Sequence, residues 1–383
     1  MDDKKKAPSV VQTDEAGSAV ADTISQEESN TDLVLSQDVK SFYSDEGLVR
    51  AESGCENELS TRFQPKKERT YSLADSYARI ADFNPYGRIN EDRVQRVMDC
   101  GGYLVFAAQY GMKTKLVEAH FCKDRLCPMC SWRRSLKSFS QLSSVIEYLN
   151  RTSQYEYCLL TLTIRNCSSD DISSTLDQLF AGFRKLLKNK RVKVVIKGYF
   201  KSCEITRNLD SIGTDLEWHQ HLHVILAVNK SYFKKSDYIS QKDWIYLWRD
   251  SLGVDYDPSV RIQKIKVDPN DSRSLEDALN EVSKYVLKSD QFLEHSDPAV
   301  VDSAVEALFY SLFNRRLTSF GGVFKQARKD LKQDDPEDGD LIHIKTEDRI
   351  FNGMPIYLMG FSYGRYGGYS KVRSWFDVGF GTG

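Results

Sequence analysis

The chain has 383 residues, 53 Lys/Arg against 55 Asp/Glu for a formal net charge of −2, and 40% hydrophobic residues. That length holds two modest domains or one domain with extensions, and buries a substantial core. The opening Met1-Asp2-Asp3-Lys4-Lys5-Lys6 lacks an apolar signal region and no apolar run approaches a membrane span, which argues against secreted and membrane-spanning classes and leads us to expect a cytosolic protein with reduced cysteines.

The near-neutral total hides an asymmetry. Residues 1–60 hold 14 Asp/Glu against 5 Lys/Arg, whereas residues 111–208 hold 18 basic residues against 8 acidic ones. The central excess is where an anionic polymer would be held, although a solvated surface also explains it. Residues 1–65 are rich in Ser, Asp, Glu, Thr and Ala with little periodicity, and read as a disordered acidic tail.

From Tyr71 the composition turns globular. Tyr103–Ala108 and Lys115–Ala119 read as strands around a turn at Gly111. Cys122, Cys127 and Cys130 follow, with His120 and Cys100 available as a fourth ligand. Such a thiolate set suits a structural zinc ion, and Cys100 is preferred because Gly101-Gly102 lets the backbone approach. The bland alternative is three reduced cysteines in a small core. A helix over 131–149 carries Trp132, Leu136, Phe139, Leu142, Val145, Ile146 and Leu149 on one face.

Tyr157–Ile164 reads as a buried strand, and Ile172, Leu176, Leu179, Phe180, Phe183, Leu186 and Leu187 trace an amphipathic helix. Basic residues from Arg184 to Lys197 surround that helix end, as helix capping or as DNA contacts. Val192–Thr206 reads as a strand kinked at Gly198, paired as a hairpin with the next run.

That run is Glu217-Trp218-His219-Gln220-His221-Leu222-His223-Val224-Ile225-Leu226-Ala227-Val228. Alternation at period two points His219, His221 and His223 to one face of a strand. The chain has only six histidines, so three on one face suggest a divalent-metal site more than three hydrogen-bonded surface rings.

Val260–Val267 alternates like a further strand, and 273–288 reads as a helix. On that helix Glu281, Tyr285 and Lys288 fall at i, i+4 and i+7, beside a docking stripe of Leu275, Ala278, Leu279, Val282 and Val286. Alone this is an ordinary surface helix. Beside a metal-binding strand it suggests phosphoryl transfer, because a phenol of pKa about 10 is a weak nucleophile until charge on the phosphate is offset. Residues 329–340 read as a charged linker broken at Pro336, and Tyr357–Phe380 as a Gly- and aromatic-rich β segment. Tyr363, Tyr366 and Tyr369 there suit a hairpin with half-buried rings more than base stacking.

Together these motifs resemble the rolling-circle plasmid replication initiators of the HUH endonuclease superfamily, in the single-tyrosine group with a nearby glutamate. His221-Leu222-His223 with its apolar continuation matches the His-hydrophobic-His motif, and Glu281-x-x-Lys284-Tyr285-x-x-Lys288 matches the nucleophile motif. Leu160-Thr161-Leu162-Thr163, Gly198–Thr206 and Phe313–Phe324 resemble further family segments. Gln220 stands where the family often has Pro.

The resemblance implies an α+β fold: an antiparallel HUH core sheet flanked by helices, preceded by a zinc-stabilised element and a disordered N-terminal tail. The expected divisions are 1–65 tail, 71–156 Cys-rich DNA-binding element, 157–330 nicking and strand-transfer domain, and 331–383 linker and C-terminal β segment. It implies Tyr285 as nucleophile, Glu281 as the base that ends the cycle, and Lys288 as an aid to the phenolate or a flanking phosphate. Mn or Mg would sit on His221 and His223, with Glu204 or His219 as third ligand, and zinc on Cys122, Cys127, Cys130 and Cys100 or His120. The implied partners are single-stranded or hairpin origin DNA and the host helicase and polymerase, with self-association left open. The competing readings are an HUH transposase or relaxase, and a non-enzymatic zinc-dependent DNA-binding regulator.

Overall fold

The computed structural model describes residues 36–208, 216–234, 237–267, 273–284, 287–345, 351–352 and 354–377. It is a mixed structure of helices and antiparallel sheet. The chain divides into two units, one of Met1–Tyr71, Met98–Cys122 and Ile342–Gly383, the other of Ser72–Val97 and Lys123–Leu341. Neither unit is contiguous in sequence. Among the described residues no helix is long and apolar enough to cross a membrane.

The first unit holds a four-stranded sheet in the order β10-β9-β1-β2. Its strands are β1 (Tyr103–Ala108), β2 (Lys115–Ala119), β9 (Ile356–Gly364) and β10 (Gly368–Asp377). Leu104 to Ala108 are all buried, as expected of a strand paired on both edges. Over the sheet run helices Gln37–Phe42 and Asp45–Glu58, a π-helical turn at Leu59–Phe63, and the start of Gln64–Phe83.

The disordered tail expected over 1–65 is therefore corrected in part: 1–35 lies outside the described residues, and 36–65 is helical. Leu48, Cys55, Leu59 and Phe63 are buried at spacings of seven and four residues, which is one stripe of a helix. Phe63 meets Phe106 edge-on at 5.6 Å, and Phe106 meets Phe361 at 6.1 Å. Serine caps at Ser36 and Ser44 start the first two helices. In the C-terminal hairpin Tyr369 donates to the Gly101 carbonyl at 2.6 Å and Tyr363 stacks between Tyr71 and Tyr369, while Tyr366 at the tip is fully exposed.

The second unit is built on a sheet ordered β7-β3-β6-β5-β8, with a short β4 also pairing β6. These are β3 (Tyr155–Thr163), β4 (Cys167–Ser168), β5 (Ile196–Arg207), β6 (Glu217–Asn229), β7 (Val260–Ile265) and β8 (Thr318–Gly322). On one face the helices Pro128–Thr152, Arg273–Ser283 and Val323–Asp330 bury Leu142, Val145, Leu149, Ala278, Val282 and Phe324 against Tyr157, Phe200, Ile225 and Ile265. Each such large side chain contributes roughly 1.5–3 kcal/mol by leaving water. On the other face lie Ile172–Lys188 and Gln241–Leu252, where Phe183 packs on Tyr199 and Trp248 donates to the Thr163 carbonyl at 2.7 Å. The Gln241–Leu252 helix, started by a Ser240/Asp243 capping box, had no counterpart in the sequence reading.

Three expectations change here. The stretch read as one strand over Val192–Thr206 is a short helix, Lys190–Val195, followed by β5. Its kink is real: the pairing with β6 shifts between Ile196 and Gly198, and Gly198 lies against β8, where a Cβ on Gly322 would stand 2.1 Å from the Lys197 carbonyl oxygen. The helix expected to run to Lys288 ends at Ser283. Buried Leu287 instead forms a parallel bridge to Ile205, which helical geometry would not allow.

The charged linker expected at 329–340 is a docked loop. Buried Glu337 accepts from the Leu317 amide at 3.0 Å and from the Thr318 amide and hydroxyl, both at 2.6 Å, and pairs with Arg125. Asp334 pairs with buried Lys137 at 2.5 Å. Replacing Glu337 by Ala strands those donors and the Arg125 charge, so we expect a loss of about 3 kcal/mol of unfolding free energy in urea titrations. A loss below about 1 kcal/mol would show that the loop is held by other contacts.

Candidate active site

The β5–β6 register sets Glu204 opposite His221 and Ser202 opposite His223. Because side chains alternate, Glu204, His221 and His223 emerge on the same face as Phe200 and Ile225, the face covered by the Arg273–Ser283 helix. One Glu204 oxygen, Oε2, lies 3.0 Å from His221 Nε2 and 3.0 Å from His223 Nε2. The three donor atoms lie within 4.8 Å of one another. Burial pushes the Glu204 carboxyl up, but hydrogen bonds from both imidazoles, with their charge, outweigh it and hold the group well below the ordinary carboxylate range.

Glu204 thus joins the convergent set and His219 does not. His219 stacks beside His221 with ring centroids 5.0 Å apart, and burial, then the nearby His221, lower its pKa. On the opposite face of β6 the Trp218 indole donates to Ser169 at 3.0 Å and the buried Gln220 amide donates to Cys167 Sγ at 3.1 Å. Gln220 therefore anchors the strand from behind, away from the imidazoles.

Tyr285 lies outside the described residues, but the chain on both sides of it reaches the cluster. Before it, Glu281 Oε1 is 3.5 Å from His223 Nε2, and Lys284 pairs with Glu281. After it, Lys288 Nζ is 3.4 Å from Glu204 Oε1. The expected single helical stripe of Glu281, Tyr285 and Lys288 is replaced by a helix end and a β-bridge, yet Glu281 and Lys288 still meet the same carboxylate–imidazole group. Thr161 was missed as a site residue: its hydroxyl lies 3.4 Å from His223 Nδ1, where it orients the ring. The signal was available, since Thr161 sits in a strand pairing directly with His223.

The second cluster is all sulfur. Cys100, Cys122, Cys127 and Cys130 lie with their Sγ atoms within 4.8 Å of one another. His120 is not in this group; its carbonyl accepts from the Gly101 amide at 2.7 Å, closing the turn after Cys100. Backbone amides of Cys122 and Lys123 approach Cys100 Sγ at 3.4 Å and Cys130 Sγ at 3.2 Å. Lys67, fully buried, donates to the Cys100 carbonyl at 2.9 Å. Asp124 shapes the loop before Cys127 by accepting from the Leu126 amide at 2.9 Å and from Arg93 at 2.6 Å. Three of the four cysteines outside the cluster differ in character: burial pushes the thiols of Cys55, Cys158 and Cys203 up to about 12, which leaves them inert.

A family model described as "Replication protein" matches residues 113–359, which includes Glu204, His221 and His223 and three of the four clustered cysteines. A "Protein rep" from Lactiplantibacillus plantarum is 39% identical over 260 residues, covering 67% of this chain and 80% of the relative. Those from Bacillus amyloliquefaciens and Streptococcus pneumoniae serotype 2 are 35% and 32% identical, covering 75% and 73% of this chain and 87% and 84% of their own lengths. No solved structure matches. The chain belongs to the replication-protein family of plasmid rolling-circle initiators.

Because the folded Glu204 binds fewer protons than the unfolded one, its contribution to stability is present above the ordinary carboxylate pKa and is lost as pH falls below it. In chelator, the urea midpoint of the wild-type chain should exceed that of Glu204→Gln at pH 6, and the gap should narrow toward pH 3. A gap that widened on acidification would contradict this electrostatic account.

Proposed function

We propose that the protein starts plasmid rolling-circle replication by nicking one strand at the origin, with Tyr285 as nucleophile and a divalent ion held by His221, His223 and Glu204. The observation that carries this is the convergence of two imidazoles and a buried carboxylate, with Glu281 and Lys288 reaching them from either side of Tyr285. The donor set fits such an ion. Neighbouring ligands of an octahedral ion with bonds of about 2.1 Å stand about 3 Å apart, and both His–Glu separations are 3.0 Å. Two imidazoles and a carboxylate leave positions open for phosphate oxygens.

When bound, the ion supplies positive charge to the non-bridging oxygens of the scissile phosphate. The phenolic oxygen of Tyr285 attacks phosphorus, the bond from phosphorus to the 3′ oxygen breaks, and the 3′ oxygen leaves with the electron pair and takes up a proton. The products are a tyrosyl 5′-phosphate and a free 3′-hydroxyl that primes the host polymerase. Lys288 faces the site as a cation for the phenolate or a flanking phosphate. At the end of the round Glu281 removes a proton from a water molecule, which hydrolyses the phosphotyrosyl bond and restores Tyr285. Mn or Mg suits the nitrogen and oxygen donors, and zinc suits the four thiolates, where its tetrahedral bonds stabilise the fold. The origin, as a single strand or hairpin, is the DNA partner, and the host helicase would act downstream of the nick.

Incubated with supercoiled origin plasmid and Mn or Mg, the wild-type chain should give open circles carrying covalent protein, and chelator should stop it. Tyr285→Phe should lower nicking by at least about a thousandfold, the scale for removing a nucleophile. Glu281→Ala should still form the covalent adduct but accumulate it. Equal loss of first cleavage in both variants would refute the division of roles.

The sulfur site predicts its own outcome. Elemental analysis should find about one zinc per chain in the wild type and in His120→Ala, and a marked loss in Cys100→Ser. Loss in His120→Ala with retention in Cys100→Ser would reverse the assignment of the fourth ligand.

A further inference from the structure

Beside the imidazole cluster, on the same face of the sheet, lies an open groove of about 770 Å³. Its floor is the sheet edge, with Leu159 and Thr161 of β3 and Arg261 and Gln263 of β7. Its wall is the Arg273–Ser283 helix, through Arg273, Ser274, Asp277 and Glu281. The cluster and the groove share two residues: Thr161 contacts His223 Nδ1, and Glu281 contacts His223 Nε2.

The registers align a straight cross-strand row: Ser202 opposite His223, His223 opposite Thr161, and Thr161 opposite Arg261. With strands about 4.8 Å apart, Arg261 stands roughly 10 Å from His223, two strands out on the edge. A guanidinium there reaches the phosphate next to one held at the imidazoles. At the far end Lys266 and Arg273 add positive charge, and Lys264 lines the groove while pairing with Glu156 at 2.9 Å. Among the described residues neither Arg261 nor Lys266 has an ion-pair partner, and both are exposed. Among the described residues no aromatic side chain lines the groove, and those that do line it offer charge and hydrogen bonds to a backbone.

We propose that this groove carries the sugar–phosphate backbone of single-stranded DNA flanking the cleaved phosphate, with Arg261 and Lys266 as its phosphate contacts. The proposal rests on the nicking reading for its purpose but not for its test. Contacts to phosphate make the binding insensitive to base sequence.

The experiment uses the full-length chain in chelator, so that no cleavage occurs, and follows the fluorescence anisotropy of a labelled oligo(dT) strand. Arg261→Ala combined with Lys266→Ala should raise Kd at least tenfold at 0.15 M salt. The slope of log K against log salt should become shallower by about 1.4, since each phosphate contact to a single strand contributes about 0.7. A mixed-sequence strand should lose as much, and the exchange Arg261→Lys with Lys266→Arg should retain most of the affinity. Unchanged affinity and slope in the double alanine variant would overturn the proposal, even if the protein nicks normally. An equal loss for blunt duplex would overturn it too, by showing a general basic surface. A strand-specific loss in a protein whose Tyr285→Phe variant nicks as well as wild type would uphold the groove and sink the assignment of Tyr285 as nucleophile.

Discussion

The pairing of Glu204 with His221 across two adjacent strands is the constraint on which the site depends. Side chains alternate, so a slip of one residue between β5 and β6 would turn the carboxylate away from the imidazoles and bring Cys203 to their face. The register is held from behind. Trp218 and Gln220 bond to Ser169 and Cys167 on the opposite face, and Leu222 to Val228 are buried without interruption. A polar cluster costs free energy to bury, and that cost is offset only while all its members meet. Packing of the apolar half of β6 thus supplies the stability that lets its polar half stay organised.

Much of this was legible in the sequence, because the informative patterns are local. The alternation of His219, His221 and His223, and the close spacing of Cys122, Cys127 and Cys130, survive in the structure as one strand face and one sulfur cluster. What was not legible depends on partners distant in sequence. The helix after Arg273 stops at Ser283 although its periodicity continues, because Leu287 pairs with Ile205, some eighty residues earlier. Glu337 looked like one more charge in a linker, and its partners come from positions 125, 317 and 318. The stretch 36–65 has an acidic composition, and its sparse apolar stripe becomes meaningful only against Phe106 and Phe361.

The two clusters differ in donor softness, and that difference sorts their ions. Four sulfurs, two of them met by backbone amides, would suit a soft or borderline cation. Two imidazoles and a carboxylate, lying beside an open groove, suit an ion that exchanges ligands with a phosphate. One chain thus presents an all-sulfur cluster and, beside an open groove, a carboxylate–imidazole cluster. Lys67 and Asp124 serve the first by fixing the backbone that bears the sulfurs. Thr161 serves the second by orienting a ring.

The C-terminal hairpin has a consequence for how the gene tolerates damage. β9 is the strand that completes the pairing of β1, and the five apolar residues Leu104 to Ala108 lie buried in the sheet so formed. A stop codon at the start of β9, just after position 355, would not trim a dispensable end. It would leave an apolar strand with a bare edge, the usual seed of aggregation between newly made chains. The sheet begun at β1 is therefore closed by a strand made some 250 residues later, and this unit cannot finish folding until Ile356–Gly364 has been synthesised.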